Sequence, residues 1–262
     1  MTLLSAGVMR VAHRTSLIVL AVAAVLTGCG TRDAADPLIP GPQGRVRFVN
    51  LITDTTRGRV NAILEAVPFG VNLVYGGSTP SSLPAPANAI YSALLTGTRS
   101  LLLRRTADTA NVVATFPLTI ANATDYTVYA TGGATATAIA AFVTTDTNTA
   151  PALGAVRVRV VHLAPTAGNV DVFITAVGAD LSLATPTLAN VPYRTSAYLP
   201  SVTAGTYQVR VVPAGTAPAA RAANVAINLA SVALPANGAR TIIAADNNVG
   251  GAPYRFITLT DR

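Results

Sequence analysis

Most enzymatic and metal chemistry rests on His, Cys, Lys and Glu, and this chain is nearly bare of them. Of its 262 residues two are His, one is Cys, all 18 cations are Arg, and Glu65 is the only Glu. Too few His and Cys remain for the three or four ligands of an ordinary zinc site. The absence of Lys excludes a Walker A lysine, a Schiff base and a Ser-Lys dyad. Neither Gly-x-Ser-x-Gly nor His-Glu-x-x-His occurs. A Ser-His-Asp arrangement would have to be built on His162, with Asp171 reaching it across adjacent strands. Glu65 offers little to a paired-carboxylate hydrolase, which would depend on Asp pairs. The turn Asp246-Asn247-Asn248-Val249-Gly250-Gly251 begins like a calcium loop, yet Gly250 is fifth and Ile257 twelfth, where a bidentate Glu is needed. A hairpin turn is expected there. No catalytic residue, cofactor or metal site is expected, and Asp171, His162 and Tyr193 stand as the candidate ligand contacts.

The elements that hold these residues are duplicated. Arg157-Val158-Arg159-Val160-Val161-His162-Leu163 repeats Arg45-Val46-Arg47-Phe48-Val49-Asn50-Leu51, and Gly168-Asn169-Val170-Asp171-Val172 repeats Gly58-Arg59-Val60-Asn61-Ala62. Farther on, Gly205-Thr206 matches Gly97-Thr98, and Phe256-Ile257-Thr258 matches Phe142-Val143-Thr144. An offset that stays near about 110 residues indicates tandem domains rather than a solenoid of short units. His162 and Asp171 face Asn50 and Asn61 in the other copy, which argues against a catalytic pair.

Each copy reads as about seven short strands separated by turn signals, without βαβ alternation. In the first copy strands are expected near 45–51, 60–66, 71–75, 90–95, 99–105, 112–120, 126–131 and 138–144. With Val158, Val160 and His162 on one face of their strand and Arg159 and Val161 on the other, one face should be buried and one wet. The fold class is therefore all-β, with two tandem Ig-like antiparallel β-sandwich domains. The first spans 45–147 and the second 155–262. The short linker between them suggests sandwiches set end to end with hinge freedom.

Ahead of the copies, Met1 to Arg14 is a cationic n-region and Leu17 to Leu26 an apolar run of signal-peptide length, too short to span a membrane comfortably. It ends in Leu26-Thr27-Gly28-Cys29, which resembles the lipobox of bacterial lipoproteins. The resemblance implies cleavage after residue 28 and lipidation of Cys29. At roughly 0.8 kcal/mol per buried methylene, two or three acyl chains give anchoring on the order of tens of kcal/mol. Gly30 and Thr31 follow where an Asp would signal inner-membrane retention, so outer-membrane residence is the expectation. Residues 29–44, rich in Pro and Gly without periodicity, read as a flexible tether.

The order Val158 to Pro165, then Asn169 to Phe173, Val191-Pro192-Tyr193 and Ala204 to Tyr207, resembles the bacterial cell-surface domain known as domain of unknown function 4397. The second copy carries the resemblance well and the first is more divergent. The family implies an exported, often tandem β-domain and no reaction. The formal charge of +7 falls to about +5 without Arg10 and Arg14 of the leader (16 − 11), a moderate excess that favours association with anionic glycans or lipid head groups. Nucleic acid is not expected as a partner, because no basic patch is interleaved with aromatics. An envelope glycan or protein is the expected partner besides the membrane, with Tyr75, Tyr91, Tyr193, Tyr198 and Tyr254 available to stack on sugars.

Replacing Cys29 by Ala is expected to move the protein from the membrane to the soluble fraction of fractionated cells. A variant that stays membrane-bound would contradict the lipobox reading.

Overall fold

The computed structural model describes residues 41–54, 56, 58–80, 90–134 and 138–262. The expectations for the signal peptide, for Leu26, Thr27 and Gly28, and for Cys29 lie outside the described residues. The first half contains strands β1 (Gln43–Ile52), β2 (Val60–Leu64), β3 (Val67–Leu73), β4 (Ser92–Leu95), β5 (Gly97–Arg105), β6 (Val112–Ile120), β7 (Asp125–Gly132) and β8 (Ala140–Asp146). The second contains β9 (Ala155–Leu163), β10 (Val170–Thr175), β11 (Leu188–Val191), β12 (Thr195–Tyr198), β13 (Val202–Thr203), β14 (Gly205–Pro213), β15 (Ile227–Leu234), β16 (Ala239–Ala245) and β17 (Arg255–Thr260). Each half is a sandwich. Sheets β4-β1-β7-β8 and β3-β2-β5-β6 form the first, and β12-β9-β16-β17 and β11-β10-β14-β15 the second, with β13 paired to β9.

Alternation builds each core. Val60, Ala62 and Leu64 of β2 and Leu101 and Leu103 of β5 meet Val46 and Phe48 of β1 inside the first sandwich. Val170 and Val172 of β10 and Val209 and Val211 of β14 meet Val158 and Val160 of β9 inside the second. Burying apolar side chains at every second position is what a strand with period two allows.

Four local features depart from the sequence reading. The sheets are not purely antiparallel: β1 runs parallel to β7, and β9 parallel to β16. Short connections dictate antiparallel pairing only between consecutive strands, and these partners are far apart in sequence. The strand expected over 60–66 stops at Leu64, because Glu65 (φ 47°) and Ala66 (φ 70°) turn left-handed and start a hairpin into β3. Neither residue type signals such a turn. The tether ends earlier than Gly44, since Gln43 and Gly44 already pair with Leu95 and Leu94.

The fourth departure is the largest. β1 and β9 are buried on both faces, because the outer faces of the two sandwiches are packed on each other. Val49, Leu51 and Tyr129 of the first half form one apolar cluster with Val161, Leu163, Ile243 and Leu259 of the second. Burial, opposed by the charges of Arg159 and Arg47, pushes the Tyr129 phenol up to about 12.

At the centre of this seam lie Arg47 and Arg159, only 2% and 0% exposed, with Asp146 and Asp261 at 7% each. The pairing is reciprocal. Arg47 Nη2 donates to Asp261 Oδ1 at 2.6 Å across the seam, and its Nη1 to the Thr260 carbonyl at 3.0 Å. Arg159 Nη1 donates across the seam to Asp146 Oδ1 and to Thr144 Oγ1. Each guanidinium rests on a Thr of the parallel neighbour strand in its own sheet, Arg47 on Thr127 and Arg159 on Thr241. Each Thr in turn donates to the Asp of its own half, Thr127 to Asp146 and Thr241 to Asp261. Tyr91 and Tyr198 cover the guanidinium faces at 4.8 and 5.4 Å, a geometry that favours a cation.

The linker is tied to both halves as well. Thr147 N donates to Tyr198 Oη, Asn148 Nδ2 to Asp125, and Arg157 Nη1 to Thr147 O and Thr149 Oγ1. A layered stack with a dry ionic seam therefore replaces the expected end-to-end arrangement with a hinge.

Removing one partner of a buried, hydrogen-bonded ion pair leaves the other charge stranded and costs about 3–5 kcal/mol. Arg159→Met is expected to lose that much in denaturant unfolding; a loss below about 1 kcal/mol, typical of exposed pairs, would contradict the seam. Burial opposes the ionisation of Asp146, but the Arg159 charge and hydrogen bonds from Arg159, Thr127 and Tyr91 outweigh it and hold its carboxyl below the usual 3.8. A carboxylate so depressed stabilises the fold above its unfolded pKa, and that stabilisation is lost as pH falls through the folded value. Asp146→Asn should thus be the less stable protein at neutral pH and converge on the wild type in acid. Parallel stability curves would argue against this role.

Candidate functional site

Where the seam reaches one end of the first sandwich, a cavity of about 640 Å³ opens between the loops of that half and the β16–β17 hairpin of the other. Its polar lining comes from Arg59 on the β1–β2 connection, Tyr75 after β3, Arg105 and Thr106 at the end of β5, and Asn248 and Arg255 on the hairpin. No carboxylate is among the described lining residues. Two carboxylates stand behind the lining: Asp54 Oδ1 accepts from the lining Thr56, and Asp246 accepts from Thr166 Oγ1 and Gly251 N.

The walls are fixed by side chains rather than left to the loops. Asn50 Nδ2 donates to Gly58 O and Leu73 O, drawing the β1–β2 connection onto the sandwich. Asn61 Oδ1 accepts from Asn72 N at 2.8 Å and from Thr106 Oγ1 at 3.0 Å, joining the other two loops. Thr106 N donates to Arg59 O. Arg59 Nη1 donates to Asn72 Oδ1, and the Arg255 guanidinium lies 5.6 Å above the Tyr75 ring. Tyr75 Oη donates across the seam to Asp246 O at 2.6 Å, and burial pushes its phenol upward. Arg105, half-buried, has no side-chain hydrogen bond or ion pair among the described residues.

Of the five tyrosines nominated from sequence Tyr75 lines this cavity; His162, Asp171 and Tyr193 do not, and each of these three has a structural task that its counterpart shares. His162 is fully buried and bonds through Nε2 to Gly168 O at 2.8 Å. Asn50 does the same for the matching Gly58. Gly168 has φ 67°, a conformation in which only Gly is at ease, so the ring holds a turn that Gly shapes. Burial pushes the His162 imidazole below its ordinary value, against the bond to Gly168. Asp171 Oδ1 accepts from Asn190 N at 2.8 Å, as Asn61 accepts from Asn72, and Asn72 and Asn190 are both left-handed at φ 54° and 51°. Tyr193 meets the His162 ring edge-on at 6.4 Å and its hydroxyl lies 3.4 Å from Thr131 Oγ1, reaching across the seam as Tyr75 does from the other side.

β9 and β10 lie in opposite sheets, so His162 and Asp171 do not stand on adjacent strands and form no dyad. The turn from Asp246 is closed by its own bonds. No group of three or more His, Cys, Asp or Glu that could hold a metal occurs among the described residues. The five tyrosines proposed for stacking are engaged: Tyr75 under Arg255, Tyr91 bonded to Asp146, Tyr193 in the seam, Tyr198 under Arg159, and Tyr254 accepting from Thr166.

Arg59, Arg105 and Arg255 escaped the sequence reading, although the alignment of the copies contains their signal. The matching positions are Asn169, Pro213 and Ala141. Residues that the architecture needs recur in both copies, as Arg47 and Arg159 do; these three cations occur in one.

A family 26 carbohydrate-binding module from Eubacterium rectale, solved with maltoheptaose, shares 12% identity over 83% of this chain and 95% of its own, at a TM-score of 0.23. A structure described as α-glucan binding by a streptococcal virulence factor shares 11% over 78% of this chain and 94% of its own, at 0.25. Likenesses of this strength carry neither a ligand nor a fold to this protein. No curated protein matches the chain. Residues 46–173 match the family described as domain of unknown function (DUF4397), a span that covers the copy whose motifs are the more divergent and continues through β9 into β10. The match covers just under half of the chain.

Proposed function

We propose that this protein is a non-catalytic glycan-binding module of the bacterial cell envelope, held by a lipid at Cys29, with the inter-sandwich cleft as its binding site. The observation that carries the reading is the cleft itself. Its volume lies within the range of ligand pockets, its walls are set by paired side chains, and its charged lining has no counterpart in the other copy. A site preorganised in this way loses little on binding. The engagement of His162 and Asp171 in separate turns supports binding rather than catalysis. Residence in the outer membrane rests on Gly30 and Thr31 after the Cys.

Ala107 lines the cleft at an exposed position, so a Trp there should obstruct the site without disturbing either core. On an array of envelope glycans the full chain is expected to retain at least one class, and Ala107→Trp to weaken that binding by about tenfold or more. Equal retention by the variant would remove the cleft from consideration; an array with no bound glycan would sink the reading.

A further inference from the structure

Among ways of holding a saccharide, two leave different marks on a protein. A neutral sugar ring is held largely by the open face of an aromatic side chain, while an acidic one is held by guanidinium groups that fork onto its oxyanion. In this cleft the aromatic option is taken. Tyr75, the one aromatic among the described lining residues, has its hydroxyl committed to Asp246 O and its ring facing the Arg255 guanidinium at 5.6 Å.

The guanidinium option is open. Arg59 and Arg255 are exposed and Arg105 is half-buried. Arg59 spends one nitrogen on Asn72, Arg255 is held over Tyr75, and Arg105 makes no side-chain hydrogen bond among the described residues. Converging cations without a lining acid repel one another, most strongly where water is partly excluded. A bound anion relieves that repulsion. Elsewhere in this protein Arg47 and Arg159 are paired with carboxylates, and Arg99 with Glu65 and two carbonyls. The cleft differs in presenting three cations to solvent around one volume, with the Asn248 amide and the Thr106 hydroxyl beside them.

We infer that the cleft selects an oxyanion, the carboxylate or phosphate group of an acidic polysaccharide, with Arg105 as the innermost contact and Arg59 and Arg255 at the rim. This rests on the glycan-binding reading for the saccharide and on the arginine geometry for the anion. Planar forks favour carboxylate and phosphate alike, so the source is separated by the probe.

The test uses the purified full chain and four probes in calorimetric titration: an oligogalacturonate, a phosphorylated oligosaccharide, a neutral maltoheptaose and inorganic phosphate. Either acidic saccharide is expected to bind at least about tenfold more tightly than the neutral one, to weaken as salt is raised, and to lose about tenfold or more in Arg105→Gln, with Arg105→Lys retaining part. Which acidic probe binds assigns carboxylate or phosphate. The three arginines are outside the cores, so unchanged thermal unfolding of the variants separates a lost contact from a lost fold. Equal affinity for neutral and acidic saccharides, or full affinity in Arg105→Gln, overturns the inference and leaves the glycan-binding reading standing. Binding of inorganic phosphate that depends on Arg105, with no saccharide bound, upholds the oxyanion site and overturns the glycan reading.

Discussion

The structure depends on two guanidinium groups buried between two sandwiches. An arginine placed between apolar sheets is tolerable only if its charge is neutralised, and here each half supplies a carboxylate for the other. Arg47 needs Asp261, and Arg159 needs Asp146. Apart, each sandwich would lose the carboxylate that bonds its arginine across the seam, Asp261 for Arg47 and Asp146 for Arg159, though Arg47 would keep Asp146 of its own half at 3.8 Å. The apolar seam residues Val49, Leu51, Val161 and Ile243 add the area, and the ion pairs fix the register in which that area meets.

Duplication makes the exchange economical in sequence. The Arg, the Thr beneath it and the Asp that closes the network occur once in each copy: Arg47, Thr127 and Asp146, then Arg159, Thr241 and Asp261. A face that in a single sandwich would be wet becomes an interface when two copies are set together. The cleft is a by-product of the same geometry. It forms where the seam ends and the loops of the first half face the hairpin of the second, so a firm seam means firm cleft walls.

Much of this was legible in the sequence. The strands, their inward residues and the division into copies follow from alternation and internal repetition, which are local and survive divergence. The parallel pairs β1–β7 and β9–β16 were not legible, because pairing between distant strands leaves no mark on either. Nor was the left-handed turn at Glu65 and Ala66, whose residue types favour other conformations. The arginines of β1 and β9 read as solvent-facing by the rule that charges are outside, a rule that fails when the compensating Asp lies on the opposite side of an interface and far along the chain. His162 and Asp171 looked unmatched beside Asn50 and Asn61, yet side chains of different chemistry donate to the same glycine carbonyl or accept from the same left-handed Asn. Substitution at a repeated position proved compatible with an unchanged task.

That the two sandwiches form one body is tested most directly by native-state hydrogen exchange. The seam-facing strands β1, β7, β9 and β16 should exchange only through global unfolding, with opening free energies equal to the stability measured in denaturant. Slow exchange at that common limit in all four strands is the predicted result. A lower, separate opening free energy for the strands of one half, showing that half leaving while the other stays folded, would contradict the account.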